Sequence, residues 1–165
     1  MGIFSIRKEA KQATELENEV MKRVSKMDDP TKITMENLSL QVFVMESDIK
    51  RYSKGKFFAK KMYGDQIDWD MTIRGLEGFI DIYNKVMREG FEKWLDPDFL
   101  DKKFDEIKIL RDEEKDRYQR NYYTGQLKVI AGLQEGELYY DWTSPFMPIN
   151  FNPAFVDIIK KRGLL

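Results

Sequence analysis

Apolar residues in this chain recur at steps of three and four along several long segments, which is the repeat of one face of an α-helix. The clearest segment runs from residue 70 to residue 95. Its apolar positions are Ile73, Leu76, Ile80, Tyr83, Met87, Phe91 and Trp94. Because a strand would need a repeat of two, this pattern predicts a mainly α protein.

The same repeat predicts three further long helices. The first covers residues 7–27 and ends at "DDP", and the second covers residues 34–52 with Thr34 as its N-cap. A fourth helix is capped by Asp98 and becomes almost wholly polar at "RDEEKDRYQR". Its charged end is therefore expected to lie in solvent or on a partner.

Glycines divide these segments in two ways. Gly55 and Gly64 predict breaks after the second helix, with at most a short helical turn between them. Gly75, Gly78 and Gly90 lie inside the third helical pattern, where a missing side chain allows close approach of a neighbouring helix.

Residues 126–142 fit either a helix or a β-hairpin, and the alternation of Leu127, Val129 and Ala131 slightly favours the hairpin. Three prolines between residues 143 and 153 then predict an extended arm, followed by a short helix that begins at Pro153 and ends before Gly163. We thus predict a bundle of about four helices over residues 1–123. Residues 124–165 would hold the hairpin, the arm and the last helix.

Composition excludes much of the familiar chemistry of enzymes. The chain has no histidine and no cysteine, which removes Ser-His-Asp triads, thiolate nucleophiles and the usual zinc sites. The acidic segments "DPDFLDKKFDEI" and "DQIDWD" lack the glycine and glutamate of a calcium loop, and no GKS or GKT follows a glycine. The carboxylates from Asp98 to Asp116 alternate with lysine and arginine, as on a solvated helix. We therefore expect a non-enzymatic protein without metal or cofactor.

The stretch "YYDWTSPFMPINFNPAF", residues 139–155, holds six aromatic residues and three of the five prolines, with a single charge. An apolar loop of this kind must be covered, either by its own bundle or by another subunit. Prolines limit the entropy lost on docking, and aromatic side chains are common interface anchors. The predicted protein interface consists of Tyr139, Tyr140, Trp142, Phe146, Met147, Ile149, Phe151 and Phe155.

The segment "KRYSKGKFFAKK", residues 50–61, is basic without an acidic residue, and its aromatic residues are equally explained as core anchors. Basic groups neutralise phosphates, and aromatic rings stack on bases. The net charge of −1 opposes a general attraction to nucleic acid, so this contact is secondary. A nucleic acid or an acidic partner would meet Lys50, Arg51, Lys54, Lys56, Lys60 and Lys61.

A small helical bundle followed by an extended tail resembles the head-to-tail connector, or neck-ring, proteins of tailed bacteriophages. The resemblance concerns architecture over most of the chain and rests on no diagnostic motif. It implies a ring of identical subunits in a larger assembly, located in the cytoplasm or the virion. We accordingly expect a structural protein that acts through protein contacts, with a small nucleic-acid-binding or transcription-regulating module as the alternative. Neither a signal peptide nor a membrane span is expected, because the longest unbroken apolar run is residues 42–45.

Overall fold

A computed structural model of the chain describes residues 3–63, 67–144, 147 and 149–165, with side chains for all of them except Ser5 and residues 55–63. This described part contains seven helices and one two-stranded antiparallel sheet. The prediction of a mainly α protein is confirmed, whereas the predicted number of about four helices is too low.

The helices are α1 (Ile3–Val24), α2 (Met35–Tyr63), α3 (Trp69–Glu89), α4 (Phe91–Trp94), α5 (Pro97–Glu113), α6 (Arg117–Gln134) and α7 (Pro153–Lys161). The strands are β1 (Tyr140–Asp141) and β2 (Asn150–Phe151), with Tyr140 opposite Phe151. No helix in the described ranges is long and apolar enough to cross a membrane.

Short polar side chains begin most of the helices. Thr34 caps α2 as predicted, because its hydroxyl accepts a hydrogen bond from the Asn37 N–H at 3.2 Å. The predicted cap at Asp98 is wrong by two residues. Asp96 accepts from the Phe99 N–H at 2.9 Å, and Pro97 occupies the first turn, where its missing N–H is no loss.

Two predicted helix boundaries near glycines are wrong. Gly90 has a φ of +106°, outside the helical region, and it ends α3 at Glu89 instead of at residue 95. Gly55 does not end the second helix, since α2 continues through it to Tyr63. Gly64, the other predicted break, lies outside the described residues.

Of the two alternatives for residues 126–142, the helix is correct as far as Gln134 and the slightly favoured hairpin is wrong there, because Leu127, Val129 and Ala131 lie on α6. This helix packs against α3, α5 and α7, and residues 125–133 are nearly all buried. A helical segment that is buried on nearly every side has no solvent-facing side to reveal its period, so a short stretch of it can alternate like a strand. β1, at the end of this segment, pairs with β2 and not with residues 126–134. α6 itself continues through residue 123, where the helical bundle was predicted to end.

Glycines bring α3 and α6 into close contact. A Cβ atom at Gly78 would overlap the carbonyl oxygen of Tyr122, and one at Gly125 would overlap the carbonyl oxygen of Gly75. The predicted close approach is confirmed at Gly75 and Gly78. At Gly90 it is wrong, because no heavy atom lies within 4 Å of a Cβ there.

The last helix follows its prediction. α7 begins at Pro153, with the Asn152 side chain accepting a hydrogen bond from the Ala154 N–H at 3.0 Å, and Gly163 follows its end with a φ of +65°. Its apolar face buries Phe155, Ile158 and Ile159 in the core shared by the bundle. The C-terminal region is thus continuous with the bundle core.

Candidate interaction surfaces

The aromatic stretch 139–155, the aromatic arm, is held on α2 at Tyr140 by the buried side-chain amide of Gln41. Its Oε1 accepts a hydrogen bond from the Tyr140 N–H at 2.9 Å, and its Nε2 donates to the Tyr140 carbonyl at 3.0 Å. The Gln41 side chain thereby supplies the two hydrogen bonds that the backbone of a neighbouring strand would otherwise make. Without it, both backbone groups would be buried without partners, which costs about 1–3 kcal/mol for each group.

Asn37, one turn before Gln41 on α2, joins the arm to the connection between α1 and α2. Its Oδ1 accepts a hydrogen bond from the Trp142 Nε1 at 2.7 Å. Its Nδ2 donates to the carbonyls of Pro30 and Lys32 at 2.8 and 2.9 Å. Since the side chain is buried, these bonds satisfy it and fix the position of the Trp142 ring.

Phe155 anchors the end of the arm. Its ring is fully buried against Gly132, where a Cβ atom would come within 2.6 Å of it. The ring centroids of Phe79 and Tyr139 lie 6.0 and 5.5 Å away. These separations are those of favourable aromatic pairs, so the arm completes an aromatic cluster of its own bundle.

Two buried phenols of this region are structural donors or acceptors. Burial raises the pKa of Tyr83, whose hydroxyl accepts a hydrogen bond from the Tyr139 N–H at 3.2 Å. Burial also raises the pKa of Tyr140, and the negative charge of the Asp48 carboxylate, which accepts a hydrogen bond from the Tyr140 hydroxyl at 2.8 Å, raises it further. Both phenols stay protonated at neutral pH, so neither supplies a base.

The predicted interface residues divide into two groups. Tyr140, Trp142 and Phe155 are buried within the chain itself, and Tyr139 and Ile149 are half-buried against the same core. For these five residues, the cover that the sequence requires comes from their own bundle. Met147 and Phe151 remain 58% and 54% exposed, and Phe146 lies outside the described residues.

Asn37 and Gln41 were missed by sequence reasoning, although a signal was present. They are polar residues one helical turn apart, within a stretch where Leu38, Leu40 and Val42 are apolar. Such a pair in a core helix must find hydrogen-bond partners. The pattern therefore indicates a buried backbone segment on that face, but it does not identify the segment.

The predicted basic residues lie along one helix, because α2 extends to Tyr63. Lys50, Arg51 and Lys54 are exposed, and Arg51 forms an ion pair with Asp48 at 3.0 Å. The side chains of the remaining members, Lys56, Lys60 and Lys61, lie outside the described residues.

Among the side chains that the structure describes, the most exposed large apolar one, that of Phe4, lies on α1, a helix of 22 residues that is about 33 Å long. Its last turns pack on the bundle, where Val20 is buried and Val24 is half-buried. Every described side chain from residue 3 to residue 15 is exposed. Ile3, Phe4 and Ile6 are 69%, 85% and 58% exposed.

A cleft of about 290 Å³ lies between the arm and the connection that precedes α2. The two carboxylates that line it already have partners in the chain. Glu137 accepts a hydrogen bond from Asn152 at 2.8 Å, and Asp141 accepts one from the Thr143 hydroxyl at 2.6 Å. Among the described residues, no three carboxylates form a group that could hold a metal ion.

Comparison with protein-family models, curated proteins and solved structures finds no match for this chain. In the aromatic stretch 139–155, Tyr140, Trp142 and Phe155 are buried in their own bundle, and among the described residues α1 carries more of the exposed large apolar side chains than this stretch does.

Proposed function

We propose that the protein is a non-enzymatic assembly subunit that acts through protein contacts, and that the exposed part of α1 is its main contact surface. The observation that supports this proposal is the exposure of Ile3, Phe4 and Ile6 on a helix that leaves the bundle. A partner that covers these side chains would remove a large apolar area from water.

The energetics of an isolated helix support the same proposal. Helical segments shorter than about 12–15 residues are marginal in water without tertiary contacts. Residues 3–15 have no buried side chain among those described, so their helix gains little from packing. Burying an Ile or Phe side chain contributes about 1.5–3 kcal/mol, and docking on a partner would therefore stabilise both the helix and the complex.

A connector subunit of a phage virion is the more specific form of this proposal. Such subunits embrace their neighbours with extended segments, and a projecting helix can serve the same purpose as an extended arm. In this chain α1 takes that role, and the exposed Met147 and Phe151 form a smaller second contact. The partners are proteins, including further copies of the chain.

The test is the mass of the complexes that the protein forms with the proteins that co-purify with it. We expect the double variant Ile3→Ser/Ile6→Ser to lose the complex and to keep its helical circular dichroism. Phe151→Ser is the matched control, since it removes an equally exposed apolar side chain from the arm, and it should retain most of the complex. Complexes that survive the α1 variant and disappear with the control would contradict the proposal.

Nucleic-acid binding is a second candidate function, favoured by the continuity of α2. Because this helix extends to Tyr63, the basic residues of the segment 50–61 follow one another on a single element. Filter binding at several salt concentrations distinguishes this function from protein assembly. Clear affinity with a steep salt dependence, lost when Lys54, Lys56, Lys60 and Lys61 are replaced, would favour it.

A further inference from the structure

An apolar stripe extends along the solvent side of α1. Its members are three or four residues apart. They are the apolar residues Ile3, Ile6, Ala10, Ala13 and Met21, together with one charged residue, Glu17. All six are exposed. Val24 lies five turns beyond Ile6 on the same side of the helix, so the stripe leads at its C-terminal end to the residues that pack on the bundle. A stripe with this spacing is the seam that helices use to pair with each other.

Charge is distributed unevenly along the same helix. Residues 7–11 contain three basic side chains and one acidic side chain, whereas residues 15–19 contain three glutamates and no basic residue. Two copies in parallel would place like charges beside each other. Two copies in antiparallel orientation would place the basic part of each helix beside the acidic part of the other.

Glu17 decides between the two orientations because it lies on the stripe itself. In a parallel pair it would face Glu17 of the second copy, which is repulsive. In an antiparallel pair centred near residue 12, it reaches Arg7 of the second copy. The same alignment brings Ile3 beside Met21, so the apolar ends of the two stripes cover each other.

We propose that α1 pairs antiparallel with α1 of a second copy of this chain, with the centre of the pair near residue 12. Ala10 and Ala13 lie at this centre, where small side chains allow the helix axes to approach at the lower end of the usual 8–10 Å range. The contact is self-complementary, as two-fold symmetry requires. This inference rests on the proposed function and names its partner.

The contact is small. Fewer than twenty residues of one helix meet the same residues of its copy, which places the pair below the roughly 1,200 Å² of standard specific interfaces. Such contacts exchange rapidly and require high protein concentration to be observed. In a larger assembly, other contacts would strengthen the same pair through effective concentration.

Sedimentation equilibrium of the full chain at concentrations up to the order of 100 µM tests the pairing by charge reversal. We expect wild-type protein to dimerise and Arg7→Glu and Glu17→Lys to weaken dimerisation about tenfold or more, since each variant creates like-charge contacts. The double variant Arg7→Glu/Glu17→Lys should restore it. Lys22→Glu is the matched control, because Lys22 is exposed on the opposite side of α1, and it should dimerise as wild type does.

Cross-linking tests the orientation. The chain has no cysteine, so Ala13→Cys and Met21→Cys each introduce a unique thiol on the stripe. In the antiparallel pair the Ala13→Cys thiols lie close together, and a short bis-maleimide links them. The Met21→Cys thiols lie about eighteen residues apart along the axis, roughly 27 Å, and stay unlinked.

Three results would overturn the inference. They are a monomeric wild type over the whole concentration range, a double charge variant that fails to regain dimerisation, and equal cross-linking at both cysteines, which indicates a parallel pair. These results can be distinguished from a failure of the proposed function. A wild type that is monomeric alone, yet forms a complex that is lost with Ile3→Ser/Ile6→Ser, overturns self-pairing and leaves the assembly role in place.

Discussion

Replacing Phe155 with alanine should destabilise the isolated protein far more than the same replacement at Phe151. Both residues belong to the aromatic stretch that follows α6, and they lie four positions apart. Phe155 is fully buried between Phe79, Tyr139 and the backbone at Gly132, whereas Phe151 is 54% exposed. The pair therefore compares one chemical change in two environments.

The magnitudes follow from burial. Truncating a buried phenylalanine costs about 3–5 kcal/mol, because the lost transfer free energy is added to that of the cavity. Half-exposed Phe151 should lose about half of the transfer term, or roughly 1 kcal/mol. For a domain of this size, these values correspond to decreases in melting temperature of roughly 10 °C and a few degrees.

Urea unfolding followed by circular dichroism measures both free energies of unfolding. It should be carried out at low protein concentration, so that association does not contribute. Equal losses for the two variants, or a loss below about 1 kcal/mol for Phe155→Ala, would refute the reasoning that the stretch completes its own bundle. That result would indicate that Phe155 belongs to a surface that docks on another subunit.

Gln41→Leu should cost about 2–6 kcal/mol in the free energy of unfolding, since it leaves the N–H and carbonyl of Tyr140 buried without partners, and a loss below about 1 kcal/mol in urea unfolding would contradict this role of Gln41. Gly78→Ala should cost at least about 1–3 kcal/mol because its Cβ overlaps a backbone oxygen of α6, and an unchanged urea midpoint would contradict the close α3–α6 contact. Burial raises the pKa of the Tyr83 and Tyr140 phenols, so only the unfolded chain releases these protons near pH 10. Their contribution to stability is therefore complete below about pH 10 and is lost as the pH rises further. A pH titration of tyrosinate absorbance should show these phenols ionising together with alkaline unfolding, and complete ionisation of the folded protein near pH 10 would contradict it.

The sequence predicted those parts of the fold that depend on local signals. The three-four repeat located α1, α2, α3 and α5, and proline and glycine located α7. The errors arose where a distant contact decides the local structure. The sequence of α6 resembles that of a strand because three helices surround it. The contacts with those helices cannot be predicted from the sequence of α6 alone.

The candidate surfaces show the same division. The need to cover the aromatic stretch was evident from its composition, but the choice between its own bundle and a neighbour depends on Gln41, which lies 99 residues before Tyr140. The repeat on α1 was correctly interpreted as helical. Its exposure could not be predicted, because a three-four pattern does not say whether the surface that meets it belongs to the same chain.

Hydrogen exchange at increasing protein concentration is the most direct test of the central claim, which is that α1 carries the contacts between subunits while the aromatic arm belongs to its own bundle. We expect protection of the backbone amides of residues 3–15 to rise with concentration, and protection of residues 138–142 to be high at every concentration. Protection that rises in residues 138–142 and stays constant in residues 3–15 would contradict the claim.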